Sequence, residues 1–171
     1  MTVINAIKGR FSVRKYTSEP VNNLDLATIL EAARFSQSAK NFQDWRFIVV
    51  KDEVMKRKLM SAAKNQGFVG EAPVVIVCCG INTDYVMTCG QYTYNIDVTI
   101  AMAHMCLVAH ELKLGTCCVG AFYEDQVKEL LGIPREGVRV VSLLTLGHPA
   151  VQAPEKKRES IETIVRYEKW S

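Results

Sequence analysis

The stretch QYTYNIDVTIAMAHMCLVAHELK, Gln91 to Lys113, decides the fold. It reads as the longest helix of the chain. Its apolar residues Val98, Ile100, Ala101, Met102, Met105, Leu107 and Val108 point in every direction around the helix axis. A helix that is apolar all round is enclosed on all sides. A chain of 171 residues builds one core, and so small a domain can hardly supply that cover alone. The expectation is that a second copy of the chain does.

Working outward from this helix, PVVIVCC (Pro73–Cys79) does not alternate between apolar and polar, so it reads as a strand buried on both faces. WRFIVV (Trp45–Val50), TCCVG (Thr116–Gly120) and VRVVSLLTLG (Val138–Gly147) are further strands. A helix from about Glu124 to Leu131 lies between the last two. Upstream, a short helix from about Val3 to Lys8 has Thr2 as N-cap and Gly9 as its stop. A second helix starts near Asn22 or Asn23, with Leu26, Ile29, Leu30 and Ala33 on one face. Asp52 caps a third, with Met55, Leu59, Ala62 and Ala63 on one side. The pattern predicts one layered α+β or α/β domain over residues 1–171, with a central sheet of four or five strands. It leaves strand order and direction open. The charged tail APEKKRESIETIVRYEKW has sparse apolar anchors, which suits wrapping over a surface better than building a core.

The chain is 49% hydrophobic and 23% charged with a net charge of +3, an ordinary globular composition that does not point to nucleic acid. MTVINAIKGR lacks the apolar core of a signal peptide, and the apolar run near 98–109 is interrupted by His104. A soluble cytoplasmic protein without membrane contact is expected. Six cysteines occur with no Cys-x-x-Cys spacing, so zinc and iron–sulfur patterns are missing and buried free thiols are expected. His104 and His110 lie six apart on the long helix and share no face. No metal site is expected, and His104 reads as a satisfied interior histidine.

Four segments could carry chemistry. In GRFSVRKYT (Gly9–Thr17), Arg10, Ser12 and Arg14 alternate along an extended strip and would share one face, an arrangement suited to an anionic ligand. A solvated edge with scattered ion pairs is the plain alternative. The loop SQSAKNFQDW (Ser36–Trp45) offers amide and hydroxyl donors, or is a simple connection. LGTCCVGAF leads a strand into Gly120 and Ala121, whose small side chains let backbone N–H groups approach a flat ligand, or simply make a turn. TLGHPAVQAPEKKR ends on Lys156, Lys157 and Arg158, a run that is often only solvated. No Ser/His/Asp or Cys/His arrangement stands out.

Taken in order, these segments resemble the nitroreductase family of FMN-dependent NAD(P)H oxidoreductases, over essentially the whole chain. The carrying residues are Arg10-Phe11-Ser12-Val13-Arg14, then Gln37-Ser38-Ala39-Lys40-Asn41-Phe42-Gln43-Asp44-Trp45, then LKLGTCCVGAF (Leu112–Phe122), then LGHPA and EKKR. The resemblance implies an α+β fold with a mainly antiparallel central sheet flanked by helices. It also implies an obligate homodimer with FMN at the interface and a tail, residues 153–171, wrapped over the partner. It places Arg10, Phe11 and Ser12 at the cofactor, with Lys156 and Arg158 completing the phosphate grip. Arg14 would lie near the ring's N1 and C2 carbonyl. Ser38, Ala39 and Asn41 would come from the partner, and the Gly120–Ala121 backbone would face N5. NADH or NADPH would donate hydride and a nitroaromatic or quinone would accept it, in ping-pong order and with no side chain as dedicated acid or base. A flavin-storing protein without turnover and a specialised activity such as dehalogenation are the alternatives. Gln37 and Asp44 stand where the family carries prolines, which loosens the loop. The longer helical insertion that covers the flavin in larger members is missing.

Overall fold

The computed structural model describes residues 1–170. Ser171, the last residue of the tail expected to wrap a second subunit, lies outside the described residues. The elements run α1 (Val3–Gly9), α2 (Asn23–Arg34), a short 3-10 turn (Ala39–Asn41), β1 (Trp45–Val50), α3 (Glu53–Ala62), α4 (Gly67–Glu71), β2 (Val74–Ile81), α5 (Thr93–Glu111), β3 (Gly115–Val119), α6 (Glu124–Leu131), β4 (Val138–Gly147) and α7 (Ile161–Ile164). The expected N-caps form, Thr2 Oγ1 accepting from Asn5 N–H and Asp52 from Met55 N–H, and Asn22 caps α2 by accepting from Leu24 N–H. Gly9, expected to stop α1, is instead its last helical residue, because the Arg10 N–H still reaches Ala6 O and makes Arg10 the C-cap. No helix among the described residues is long and apolar enough to cross a membrane.

The strands make one four-stranded sheet in the order β1-β2-β4-β3, antiparallel throughout. The central strand β2 explains its own unbroken apolar run. Val74, Ile76 and Cys78 face a layer built with α2 and α5, while Val75, Val77 and Cys79 face a second layer containing Leu59, Val69 and Val127 of α3, α4 and α6. Helices on both faces leave β2 no polar side.

Within one chain α5 is covered along Val98, Ala101, Met105 and Ala109, but Ile96 and Ala103 are exposed and Ile100, Leu107 and Val108 only half-buried. The helix is thus enclosed on one side by its own chain. Glycines let its neighbours come close: a side chain on Gly9 would run into the His110 ring, and one on Gly80 would put its Cβ 2.7 Å from Tyr94 Cβ.

The strip after α1 lies along the outer edge of β3. Ser12 bridges Thr116 in parallel, and Val13 N–H donates to Thr116 O at 2.9 Å. This closes an edge that would otherwise present unpaired backbone groups. Val13 is 1% exposed and sits where Gly115 has no side chain. Three residues on, the buried Tyr16 hydroxyl donates to Val13 O at 2.8 Å and stands 2.7 Å from the Thr145 hydroxyl. Burial pushes the Tyr16 phenol upward, so it stays a neutral hydrogen-bonding group.

The polar loop before β1 is held from α5. The Asp97 carboxylate accepts from Ala39 N–H at 3.1 and 3.2 Å, and Ser38 Oγ accepts from Gln43 N–H at 3.0 Å. Lys40, Asn41 and Gln43 all take positive φ, at 49°, 56° and 55°, which costs an ordinary side chain energy. Asp44 is engaged by Asn82 Nδ2 at 2.8 Å. Burial raises the Asp97 carboxyl, against the pull of the Ala39 amide.

Two outcomes follow. Gly115→Ala sets a methyl against Val13 and Pro149, and chemical denaturation should show a loss of about 1–3 kcal/mol, the usual cost of overpacking. Asp97 holds its proton more tightly folded than unfolded, so its contribution is fully present below the ordinary carboxylate value and fades as pH rises through the raised one. Asp97→Asn keeps an acceptor for Ala39 without the buried charge. Denaturation midpoints should show the variant gaining on the parent as pH climbs from the carboxylate range to neutrality, and a constant gap would refute this.

Candidate active site

A hollow of about 740 Å³ opens between α5, the strip and the ends of β3 and β4. Arg10, Ser12, His104, Thr116, Cys118 and Gly120 are among its lining residues. Each arrives by a local rule. Arg10 is the C-cap of α1, its N–H donating to Ala6 O. Ser12 points away from the side on which Val13 is buried, because side chains alternate along an extended strip. Thr116 and Cys118 alternate with Cys117 along β3 and so share a face with each other. His104 Nδ1 is 2.7 Å from Ser36 Oγ, and that hydroxyl donates its one proton to Ala32 O at 3.0 Å. Nδ1 therefore carries the ring proton and Nε2 is left as an acceptor. The expected satisfied histidine is found, though it borders a cavity and is only half-buried.

Arg10 is the one cation in the lining, and Lys156 and Arg158 lie near it. Lys156 Nζ donates to the carbonyls of Lys8 and Arg10, tying the tail to the carbonyl end of α1, where positive charge is favoured. Loss of solvent lowers the Lys156 ammonium, and the nearby charges of Arg10 and Arg158 add to this. Among the described residues, none of Arg10, Arg14, Lys156 and Arg158 has a carboxylate partner. Like charges held close without a counter-charge have the electrostatics suited to an anion.

Arg14 is exposed and does not line this hollow; its guanidinium lies 5.9 Å from the Phe68 ring centroid. Phe11 is half-buried against the cluster of Val13, Tyr16 and Ala72. Ala121 is exposed, and its carbonyl accepts from Gln66 Nε2 at 3.0 Å. Arg158 is exposed, with Nη1 donating to Lys157 O. Ser38, Ala39 and Asn41 do not line the hollow of their own chain. They sit on the strained loop beside an edge-on pair of Phe42 and Tyr85, 5.1 Å apart. Residues 82–92, between β2 and α5, form a short exposed loop closed by a Val86–Tyr92 bridge.

Gly120 is informative. Its backbone is not in the left-handed region, and a Cβ built there meets nothing within 4 Å. The chain alone therefore does not need glycine at this position, which leaves the space in front of it to something else. His104, Cys106, Thr116 and Cys118 were not singled out from the sequence as parts of this site. The alternation of β3 beyond Thr116 was the signal available. Of the thiols expected to be buried, Cys118 and Cys89 are exposed: β3 turns Cys118 toward the hollow, and Cys89 lies on the exposed 82–92 loop.

Known proteins share this arrangement. The Nitroreductase family profile matches residues 7–73 and 55–148. A protein of Methanothermobacter thermautotrophicus, provisionally named an NADH dehydrogenase/NAD(P)H nitroreductase, is 34% identical over 99% of this chain and 88% of its own length. An FMN reductase [NAD(P)H] of Bacillus subtilis is 29% identical over 95% of this chain and 72% of its own. The crystal structure of a nitroreductase family protein from Clostridium difficile superposes with a TM-score of 0.87, at 30% identity and 99% coverage of both chains. With the profile spanning most of the chain and the fold superposing end to end, the chain belongs to the nitroreductase family.

Proposed function

We propose that this chain is an FMN-dependent oxidoreductase. It would pass hydride from NADH or NADPH to a nitroaromatic, quinone or similar acceptor in ping-pong order, as a cytoplasmic homodimer. One observation carries the reading: a hollow whose lining includes the carboxylate-free Arg10, with Lys156 held against the Arg10 carbonyl, and, at Gly120, a wall that no side chain of the chain fills. The names of the Bacillus subtilis relative and of the Methanothermobacter protein support the cofactor and the electron donor.

The residues present fit FMN. Arg10, Lys156 and Arg158 supply charge for a phosphate, and the Ser12 hydroxyl adds a neutral donor. Gly120 leaves room for a flat ring, and the Gly120–Ala121 backbone supplies N–H groups at that wall, in a turn steadied by the Gln66–Ala121 bond. When bound, FMN supplies the hydride chemistry itself, while the protein binds, orients and tunes. Arg14, unpaired and exposed beside Phe68, is free to steady negative charge on the ring. Phe11, packed against Val13, Tyr16 and Ala72, would anchor the strip that carries Arg10 and Ser12. Ser38, Ala39 and Asn41, absent from the hollow of their own chain, would reach the site of the partner. No side chain is assigned as acid or base.

Exposed apolar surface supports the dimer. Val3, Ile4 and Ile7 on α1 are 71%, 54% and 51% exposed, beside the uncovered side of α5. Ile161, Ile164, Tyr167 and Trp170 of the tail are 62–92% exposed, with no partner in their own chain to bury them. Two such surfaces on one chain match each other across a two-fold axis.

Three measurements test this reading. The purified protein should show the yellow flavin spectrum and oxidise NAD(P)H with a nitroaromatic; flavin bound without turnover would mark a flavin carrier instead. Gly120→Val should leave Tm unchanged and weaken FMN binding about tenfold or more, reflecting the ~1–3 kcal/mol of an overfilled site. Sedimentation at micromolar concentration should give a dimer, and a lone chain there would overturn the shared site.

A further inference from the structure

Two loops that the proposed function leaves half-used are locked to each other. One is the loop before β1, with Ser38 to Asp44; the other, residues 82–92, joins β2 to α5. Ile81 N–H donates to Asp44 O at 3.0 Å, and Asn82 Nδ2 donates to the Asp44 carboxylate at 2.8 Å. Beyond these bonds the Phe42 and Tyr85 rings meet edge to face, with centroids 5.1 Å apart and planes at 82°. The Lys40 ammonium stands 5.1 Å from the Tyr85 centroid and 5.9 Å from that of Phe42, close enough for a cation to be attracted by a ring face. Each loop is also stiff by itself. Ser38 Oγ and the Asp97 carboxylate hold the first. In the second, Met87 N–H donates to Gln91 O at 2.9 Å and Gly90 N–H to Met87 O at 2.8 Å. Asn82 takes a positive φ of 55°, as Lys40, Asn41 and Gln43 also do. Side-chain-bearing residues held in that region cost energy. The rings they position nevertheless stay open to solvent: Phe42 is exposed and Tyr85 half-buried, with Val86 and Tyr92 of the second loop exposed as well.

We infer that Phe42 and Tyr85 form an aromatic wall against which a flat aromatic electron acceptor lies, in the site that the second chain completes. The inference rests on the FMN reading above, in which Ser38, Ala39 and Asn41 reach the site of the partner. Phe42 follows Asn41 directly, and Tyr85 is held to Phe42 by the ring contact and by the Asp44 bonds next to it. Where the first loop goes, the ring pair therefore goes with it. The acceptor must come to the same flavin from the open side, so the groups that stand there decide which acceptor is retained. The polar groups of the two loops are largely spent: Asp44 is engaged by Asn82, Asp97 by Ala39 N–H, and Lys40 is laid against the rings. What remains to offer is ring surface. Aromatic rings attract another flat ring by edge-to-face and offset contacts. A small inorganic oxidant has no ring face and gains nothing from them. The wall thus sorts acceptors by shape, favouring naphthoquinones and nitroarenes over inorganic ions. Lys40 acts as a positioning residue, holding the Tyr85 ring against Phe42.

The FMN-loaded protein is assayed with NADH or NADPH against two acceptors. Menadione is a flat naphthoquinone; ferricyanide takes a single electron per ion and presents no ring. Tyr85→Ala should lower kcat/KM for menadione about three- to tenfold, the usual worth of an aromatic contact. Ferricyanide turnover and FMN affinity should stay as in the parent. Tyr85→Phe keeps the ring and should restore the menadione value. Phe42→Ala, on the other loop, should act as Tyr85→Ala does, so that a folding defect in one variant leaves the other to decide. An equal fall with both acceptors, an unchanged menadione value, or weakened FMN binding in the folded variants overturns the aromatic wall alone. A parent protein that holds no flavin, or that reduces neither acceptor, overturns the FMN reading and the wall with it.

Discussion

The burial of α5 governs the rest of the structure. Its apolar residues occupy every direction, and apolar surface left in water costs about 25 cal/mol per Å². One chain covers only the side carrying Val98, Ala101, Met105 and Ala109. That side rests on the sheet and on α2, and the glycines at 9 and 80 allow α1 and β2 to approach its two ends. The other side, with Ile96 and Ala103, is left bare. The hollow opens where the covered side gives way to the bare one, with Met102 and Cys106 on its inner flank and Thr99 and Ala103 on its outer. A cofactor placed there would meet the second chain as it meets the first. In the proposed dimer, the enclosure of α5 and the completion of the site would be one requirement.

The strip from Arg10 to Tyr16 joins this geometry to electrostatics. Its inward residues, Val13 and Tyr16, fasten it to β3 and β4 through a main-chain bond, a glycine gap and a buried phenol. Its outward residues are thereby set without any bonds of their own. Arg10 has no carboxylate to neutralise it, and Lys156, drawn in to cap α1, adds a second positive charge close by. From the other wall, alternation along β3 brings Thr116 and Cys118 into the same hollow.

Much of the fold was legible. The run at Pro73–Cys79 could be read as doubly covered because both faces of β2 needed apolar residues, and Glu124–Leu131 appeared in the structure with its expected bounds. Arg10, Ser12 and Gly120, singled out in the sequence because local structure alone gives no reason for them, line one hollow in the structure. His104, Cys106 and Cys118 were not singled out as parts of it, because nothing in their spacing says that α5 crosses β3 at that height. Arg14 does not line the hollow with Arg10; its guanidinium lies 5.9 Å from the Phe68 ring of α4.

The amino-acid sequence by itself determined which segments are helix and which are strand, where the caps fall, and that α5 needs cover on every side. These follow from periodicity and side-chain chemistry, which act over a few residues. The antiparallel order β1-β2-β4-β3, the seating of the strip on β3 and the convergence of α5 and β3 on one hollow were decided only by the tertiary structure. Such contacts depend on how whole elements pack. Packing is a property of shapes brought together in space, which neighbouring letters in the chain do not encode.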